Sequence, residues 1–455
     1  MPTLHSRTPT LLAALFLGLP LSTPAWPAVF DARELGVQGG GVTDDTAALQ
    51  KALNSAQGQT LFLPAGKYRV DGRLVLPAQT VLRGESSGLA SLSGTVLLST
   101  VGKGREDGPG CLVMQPNSTL ERIAIQYPDQ VAEGEPVRYP YAITAAPSTR
   151  IESVYLHSPY QGINLDFCHL NQVRDVWGEP LRVGINADHC SDISRIENVH
   201  FWPYYTNSKP ALRQWVQDHG VAFQFGRSDW QYCSGVFSYG YHTGFRFYAS
   251  TPVSGRPGGN GGVTNGQFSG VGADRCVIGI DAESLFAIGV CFTNSLFAPF
   301  GASEGSRAVW LRPQNTGNLT LTSCAFWAVP SALFQVDAGS LNLTACNIHE
   351  WALTLKDAAC FAAHGGRLAV HGCTFNQAGK LAILDGDTTQ VIFSGNMGTG
   401  TSVVHSALGG RLVATGNLPP LQIRDGGTAG PTTAPCPGPS VALNDRPRGL
   451  CFLLL

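Results

Sequence analysis

Several things are scarce in this chain. It holds 3 Met in 455 residues, and 30 Lys and Arg stand against 32 Asp and Glu. So even a charge balance gives no basic face, and a nucleic-acid partner is not expected. Apolar runs long enough to span a bilayer are missing. The 12 cysteines show no CxxC and no Cys/His spacing of the zinc type, so no metal site is expected from them. GKS and GKT are absent, which argues against a phosphate-cradling loop.

Glycine is plentiful instead, with 54 residues spread along the chain, which suits many tight turns better than long helices. The first residues, MPTLHSRTPTLLAALFLGLPLSTPAWPA, place a weakly basic start before an apolar run from Leu11 to Leu21 and then small residues. This pattern is that of a signal peptide over residues 1–25, with cleavage after Ala25 or Ala28, and it predicts a secreted or periplasmic protein. A Pro/Gly-rich tail is expected at 421–455, where Cys436 and Cys451 are placed to staple it if the compartment is oxidising.

A weak repeat of about 22 residues dominates the rest. YQGINLDFCHLNQVRDVW (160–177) aligns with RVGINADHCSDISRIENVHFW (182–202), so that Asp166 matches Asp188 and Cys168 matches Cys190. Ile151, Val173 and Ile196 recur in the second half of each unit, and Cys324, Cys346, Cys373, Asn396 and Asn417 mark later units. Each unit holds short alternating apolar runs split by Gly, Asn, Asp or Ser, which means strands and turns. Units of this length with no helix between them, and without the LxxLxLxxN signature, predict an all-β parallel β-helix over 29–420. The three repeated cysteines would then form an inward ladder.

A solenoid must cap its first coil. TAALQKALNSAQ supplies an α-helix with Ala48, Leu49, Ala52, Leu53 and Ala56 on one face. Thr43 is the expected N-cap, and Asp44 and Asp45 suit the helix dipole. That gives the adjacent aspartates a structural task rather than a catalytic one.

The opening FDARELGVQGGGVTDDTAALQKAL…TLFLPAGKYRVDGRLVLPAQTVLRGE resembles the pectate-lyase superfamily, in its rhamnogalacturonase/epimerase-like group. Gly40 stands where the family's GDGxTDDT motif has Asp. The resemblance is firm over 29–90, the cap and first coils, and implies a right-handed, single-stranded β-helix with extracellular carbohydrate work. Hydrolases, lyases, epimerases and phage-tail depolymerases share that fold, so the fold alone does not choose among them.

If GINLD and GINAD are strands, Ile163, Leu165, Ile185 and Ala187 point inward and Asn164, Asp166, Asn186 and Asp188 outward. GVAFQ, GFRFY and GIDAE extend the outer strip with Ala222, Gln224, Arg246, Tyr248, Asp281 and Glu283. Carboxylates on neighbouring coils lie about 5 Å apart, a spacing suited to glycosidic hydrolysis. Asp166, Asp188, Asp281, Glu283 and Arg246 are therefore the catalytic candidates. Asn164, Asn186, Gln224 and Tyr248 are candidate substrate contacts. An aromatic-rich insert at 200–235 adds Trp202, Tyr204, Trp215 and Trp230 as candidate sugar platforms. Glu179 and Asp192 read as a solvated loop acid and a turn residue. The expected function is binding and hydrolytic depolymerisation of a polysaccharide. The alternatives are a uronate lyase, which would bring Ca²⁺ and use Arg246, and a non-catalytic glycan-binding or adhesive β-helix. No membrane partner is expected; a homotrimer is an assembly that some β-helices adopt.

Overall fold

The computed structural model describes residues 28–88, 91–251, 261–299 and 305–425. The expected signal segment and the tail cysteines lie outside them. The strands wind into a parallel β-helix of the right-handed class. Every pairing between named strands is parallel, and each coil advances by one strand spacing, about 4.8 Å. Three faces result. Sheet I has 14 strands, from Leu74–Leu76 to Gln422–Asp425, so pairing continues past the expected boundary at residue 420. Sheets II and III form two columns of a 27-stranded sheet, joined because Gln172–Gly178 and Ser194–Phe201 run through both.

The 22-residue repeat is the coil. Ile151, Val173 and Ile196 pair in register on sheet II. The breaker between sheets II and III takes positive φ at Ser153, Asp175, Asn198 and Asn294. Small polar residues tolerate that left-handed geometry better than bulky ones, which is why they recur there.

Inside, aromatic rings stack at the coil spacing. Phe223 and Phe245 lie 5.3 Å apart, Phe225 and Phe247 5.5 Å, and Phe268 and Phe292 4.5 Å. Offset stacking at this distance adds to the burial of each ring. Cys324, Cys346 and Cys373 do form an inward column, with free thiols. Asn396 and Asn417 continue it as hydrogen-bonded amides, 2.9 Å apart. Ala222 is a departure: it is packed in the core rather than on the outer strip.

The capping helix α1 spans Thr46–Ser55 and buries Leu49, Ala52 and Leu53. Its start differs from the expectation. Thr43 lies in the strand Gly40–Asp44, and Asp45 occupies the N-cap, where its carbonyl accepts the Leu49 amide but its side chain makes no bond to the helix. The Asp45 carboxylate is buried and accepts the amides of Gln38 and Gly39 at 2.8 and 3.0 Å. It fastens the preceding loop, a stronger demand than capping.

A second helix, α2, spans Pro210–His219 and lies inside the aromatic insert, where no helix was expected. Pro210 in its first turn and Leu212 and Val216 on its buried face explain it. No helix among the described residues is long and apolar enough to cross a membrane.

Candidate functional site

Register on sheet I builds the site. Thr144, Asn164, Asn186, Gln224, Arg246, Asp281, Trp310 and Gln335 stack in one outward column. Side-chain amides run along it: Asn186 Nδ2 donates to Asn164 Oδ1 at 2.8 Å, and Gln224 Nε2 to Asn186 Oδ1 at 3.0 Å. Two residues further along each strand come Asp166, Asp188, Gly226, Tyr248, Glu283 and Arg312.

Asp166 and Asp188 occupy equivalent places but different surroundings. Asp188 is 8% exposed. Its Oδ1 accepts the amides of His189 at 2.8 Å and Arg227 at 2.7 Å and the Ser250 hydroxyl at 2.5 Å. The Tyr248 hydroxyl lies 2.9 Å from Asp188 Oδ2 and 3.0 Å from Asn186 Oδ1, so its single proton is shared between two acceptors. Tyr248 reaches across two coils because Gly226 fills the rung between: a Cβ there would lie 2.3 Å from Asp188 Oδ1.

Asp166 has more open space, with 37% of its side chain exposed. His189 Nδ1 sits 2.9 Å from Asp166 Oδ1, and the imidazole stacks on Phe167 at 4.4 Å. His189 Nε2 is buried without a hydrogen-bond partner. Assigning the ring proton to Nδ1 places it on the carboxylate and leaves a lone pair on Nε2. Burial pushes the Asp166 carboxyl above its ordinary pKa; the His189 hydrogen bond opposes this, and the Asp188 charge adds to it. Burial also pushes the phenols of Tyr248 and Tyr141 up, with Asp188 contributing to both.

The remaining catalytic candidates are engaged in ion pairs. Arg312 holds Asp281 with two parallel bonds, 2.7 and 2.9 Å, and Asp281 is buried. Arg246 pairs with Glu283 at 3.3 Å. Trp310 lies under the Arg312 guanidinium, 3.4 Å from ring centroid to Cζ. Asp281 and Glu283 are thus both ion-paired carboxylates, and Arg246 has a carboxylate of its own.

The aromatic platforms mostly lie elsewhere. Trp202 follows the strand Ser194–Phe201 on sheet III, beside Tyr239 at 4.2 Å, and Tyr204 packs against Tyr155 on the same face at 6.0 Å. Trp215 belongs to α2, between Tyr160 and His219 at 6.1 and 4.6 Å. Only Trp230, 44% exposed, lies in the turn that leaves a sheet I strand of the site, Val221–Phe225, directly before the sheet II strand Gln231–Ser234. Glu179 is not solvated: it is buried and accepts from Tyr205 N at 2.6 Å, Thr206 N at 2.9 Å and the Thr206 hydroxyl. Asp192 is exposed and accepts the Ile193 amide at 2.8 Å, as a turn residue does.

One atom each from Asp166, Asp188 and His189 lies within 4.8 Å of the others. This is the one group of that kind among the described residues. The donor set does not fit Ca²⁺, which takes six to eight oxygen lone pairs. Four N–H and O–H donors already converge on Asp188, and a cation there would face their protons.

His189, Tyr141, Arg227, Ser250 and Gly226 are absent from the sequence-derived set. His189 directly follows a singled-out aspartate, and adjacency was the available signal. Gly226 was legible as the gap in the outer column. Ser250 and Tyr141 carry no local signal.

Residues 29–106 match the family described as rhamnogalacturonase A/epimerase, pectate lyase-like. That stretch belongs to this family. The pectate-lyase-like region accords with two curated relatives. The mannuronan C5-epimerase AlgE1 of Azotobacter vinelandii is 42% identical over 72 residues, covering 14% of this chain and 5% of that protein. Depolymerase 1, specific for capsule K30/K69, of Klebsiella phage K5-2 is 52% identical over 50 residues, covering 11% of this chain and 6% of that protein. Gene product 12 of bacteriophage phi29 superposes with TM-score 0.56 at 14% identity, over 88% of this chain and 57% of that one, and shows the fold alone.

Proposed function

We propose that this chain is an exported β-helix enzyme that modifies an acidic polysaccharide by moving a proton next to a uronate carboxylate, as lyases and epimerases do. The observation that carries the reading is the unequal pair. Asp188 spends its lone pairs on four protein donors, while Asp166 is accessible, raised in pKa and backed by His189. A base of raised pKa abstracts a weakly acidic C–H proton better than an ordinary carboxylate. The Asn164, Asn186 and Gln224 amides keep N–H groups beyond those spent within the column and supply donors for the uronate carboxylate, whose charge grows as the proton leaves. Arg246 keeps guanidinium protons beyond the one given to Glu283. The relative named a mannuronan C5-epimerase accords with this class.

Hydrolysis is the second reading, favoured by the spacing of at most 4.8 Å between Asp166 and Asp188 oxygens. It asks Asp188 to act while fully hydrogen-bonded, which ranks it lower.

Incubation with alginate and polygalacturonate in D₂O separates the readings. Deuterium at C5, or the ultraviolet absorbance of an unsaturated uronate, is the expected product signal, falling about a hundredfold or more in Asp166→Asn. New reducing ends without either signal would establish hydrolysis instead. Binding with no product would leave a glycan-binding protein.

A further inference from the structure

Sheet III carries a second cluster, which the proton-transfer site does not use. Trp202 and Tyr239 sit on successive coils, their rings 4.2 Å apart, and Trp202 is 37% exposed. Two guanidiniums converge on Tyr239: Arg213 from helix α2 at 5.8 Å and Arg275 at 6.0 Å from the ring centroid. Neither arginine has a carboxylate within ion-pair distance among the described residues. The anions nearby are weak neighbours. Glu179 is turned to the Tyr205–Thr206 backbone, and partial burial pushes the Asp274 carboxyl above its ordinary pKa, against the Arg275 amide and charge.

We propose that Trp202, Tyr239, Arg213 and Arg275 form an anion-selective polysaccharide-binding site, separate from the sheet I centre. The chemistry follows from the parts. An aromatic ring offers a flat apolar face to a pyranose, and a guanidinium offers a planar fork to a carboxylate or sulfate. Two unpaired cations beside exposed tryptophan are complementary to an acidic sugar and not to a neutral one. Register carries the track onward: Tyr239, Asp274 and Ala298 stack toward Trp327, about 19 Å from Trp202 at one coil per strand spacing. Trp327 is 38% exposed and, with Asn347, His349 and Asn376, lines a shallow groove of about 310 Å³. An extended chain lying along the solenoid axis meets both. Sheets I and III are different faces, so this site anchors polymer while another segment occupies the Asp166 site.

The inference rests on the acidic-polysaccharide reading for its ligand class, but its test does not depend on turnover. Asp166→Asn protein is titrated calorimetrically with polygalacturonate, dextran sulfate and dextran. Polygalacturonate or dextran sulfate is expected to bind, the preference telling carboxylate from sulfate, and dextran to bind at least about tenfold more weakly. Adding Arg213→Gln with Arg275→Gln, or Trp202→Ala alone, should weaken the anionic polymer by about tenfold or more, and Arg213→Lys with Arg275→Lys should restore part of it. The exposed Trp202 gives a variant that does not load the fold, and thermal melting checks all of them. Unchanged affinity in both the arginine and the tryptophan variants overturns the site, as does equal binding of dextran. Tryptophan-dependent binding in a protein with no turnover would refute the catalytic reading and leave this one standing.

Discussion

Replacing Asp188 by Ala should cost the fold far more than replacing Asp166 by Ala, although the two residues sit at equivalent places on adjacent coils. Asp188 accepts four hydrogen bonds and only 11% of its side chain is exposed. Bonds to a charged acceptor contribute about 1.5–3 kcal/mol each, and a buried donor left without a partner costs about 1–3 kcal/mol. Three of the four donors have an escape. Tyr248 retains Asn186 Oδ1 at 3.0 Å, the Ser250 hydroxyl rotates, and the Arg227 amide keeps the Ser250 oxygen as a second acceptor. The His189 amide has none, so we expect a loss of about 2–3 kcal/mol. Asp166 loses one contact, to His189, at a partly solvated site, and its removal should cost about 1 kcal/mol or less. Urea unfolding reads the difference, and hydrogen exchange at residue 189 localises it. Equal midpoints for the two variants, with the residue 189 amide still protected, would refute the division of labour between the aspartates.

Other predictions follow from the same contacts. Burial raises Glu179 from 4.5 to about 7, against the hydrogen bonds from Thr206 and Tyr205. Between about pH 4.5 and 7 the unfolded chain has released this proton while the folded chain keeps it, so stability falls as pH rises, by about 3 kcal/mol in all. Glu179→Gln should flatten that slope in denaturant titrations across this window. Gly226→Ala should place a methyl 2.3 Å from Asp188 Oδ1, lowering activity and costing about 1–3 kcal/mol in the same unfolding assay. Asn396→Ala removes bonds to Val370 O, Asn417 Oδ1 and the Cys373 amide, at 3.0, 2.9 and 2.9 Å, and should shift urea unfolding by about 2–3 kcal/mol.

The coil and its inner column were readable because they repeat. A strand alternates with period two and the coil recurs near 22 residues, so Asp166, Asp188, Asn164 and Asn186 fall on one outer face by counting alone. Counting says nothing about what meets each side chain there. Asp281 and Asp188 both look like free acids in sequence; one is clamped by Arg312 and the other is enclosed by Ser250 and Tyr248. The aromatic insert misled for a related reason. Composition flagged its rings, but the corner between sheets III and I decides which way they go. Trp202 ends on sheet III, and Trp215 rides on α2, whose Leu212 and Val216 face was hidden inside a segment read as loop.

The motif GINxD occurs twice, one coil apart, and the two copies hold different jobs. Nothing within either copy assigns the job. The rung above Asp166 is Asp188, whereas the rung above Asp188 is a glycine, which lets a tyrosine descend on it from the coil beyond. A tandem copy of such a coil therefore comes with a built-in asymmetry: both copies have a coil on each side, but only the one followed by a glycine rung can be enclosed from beyond, and the other stays available. Lengthening this solenoid by one turn would leave the chemistry of the motif untouched and still change which aspartate is free to react.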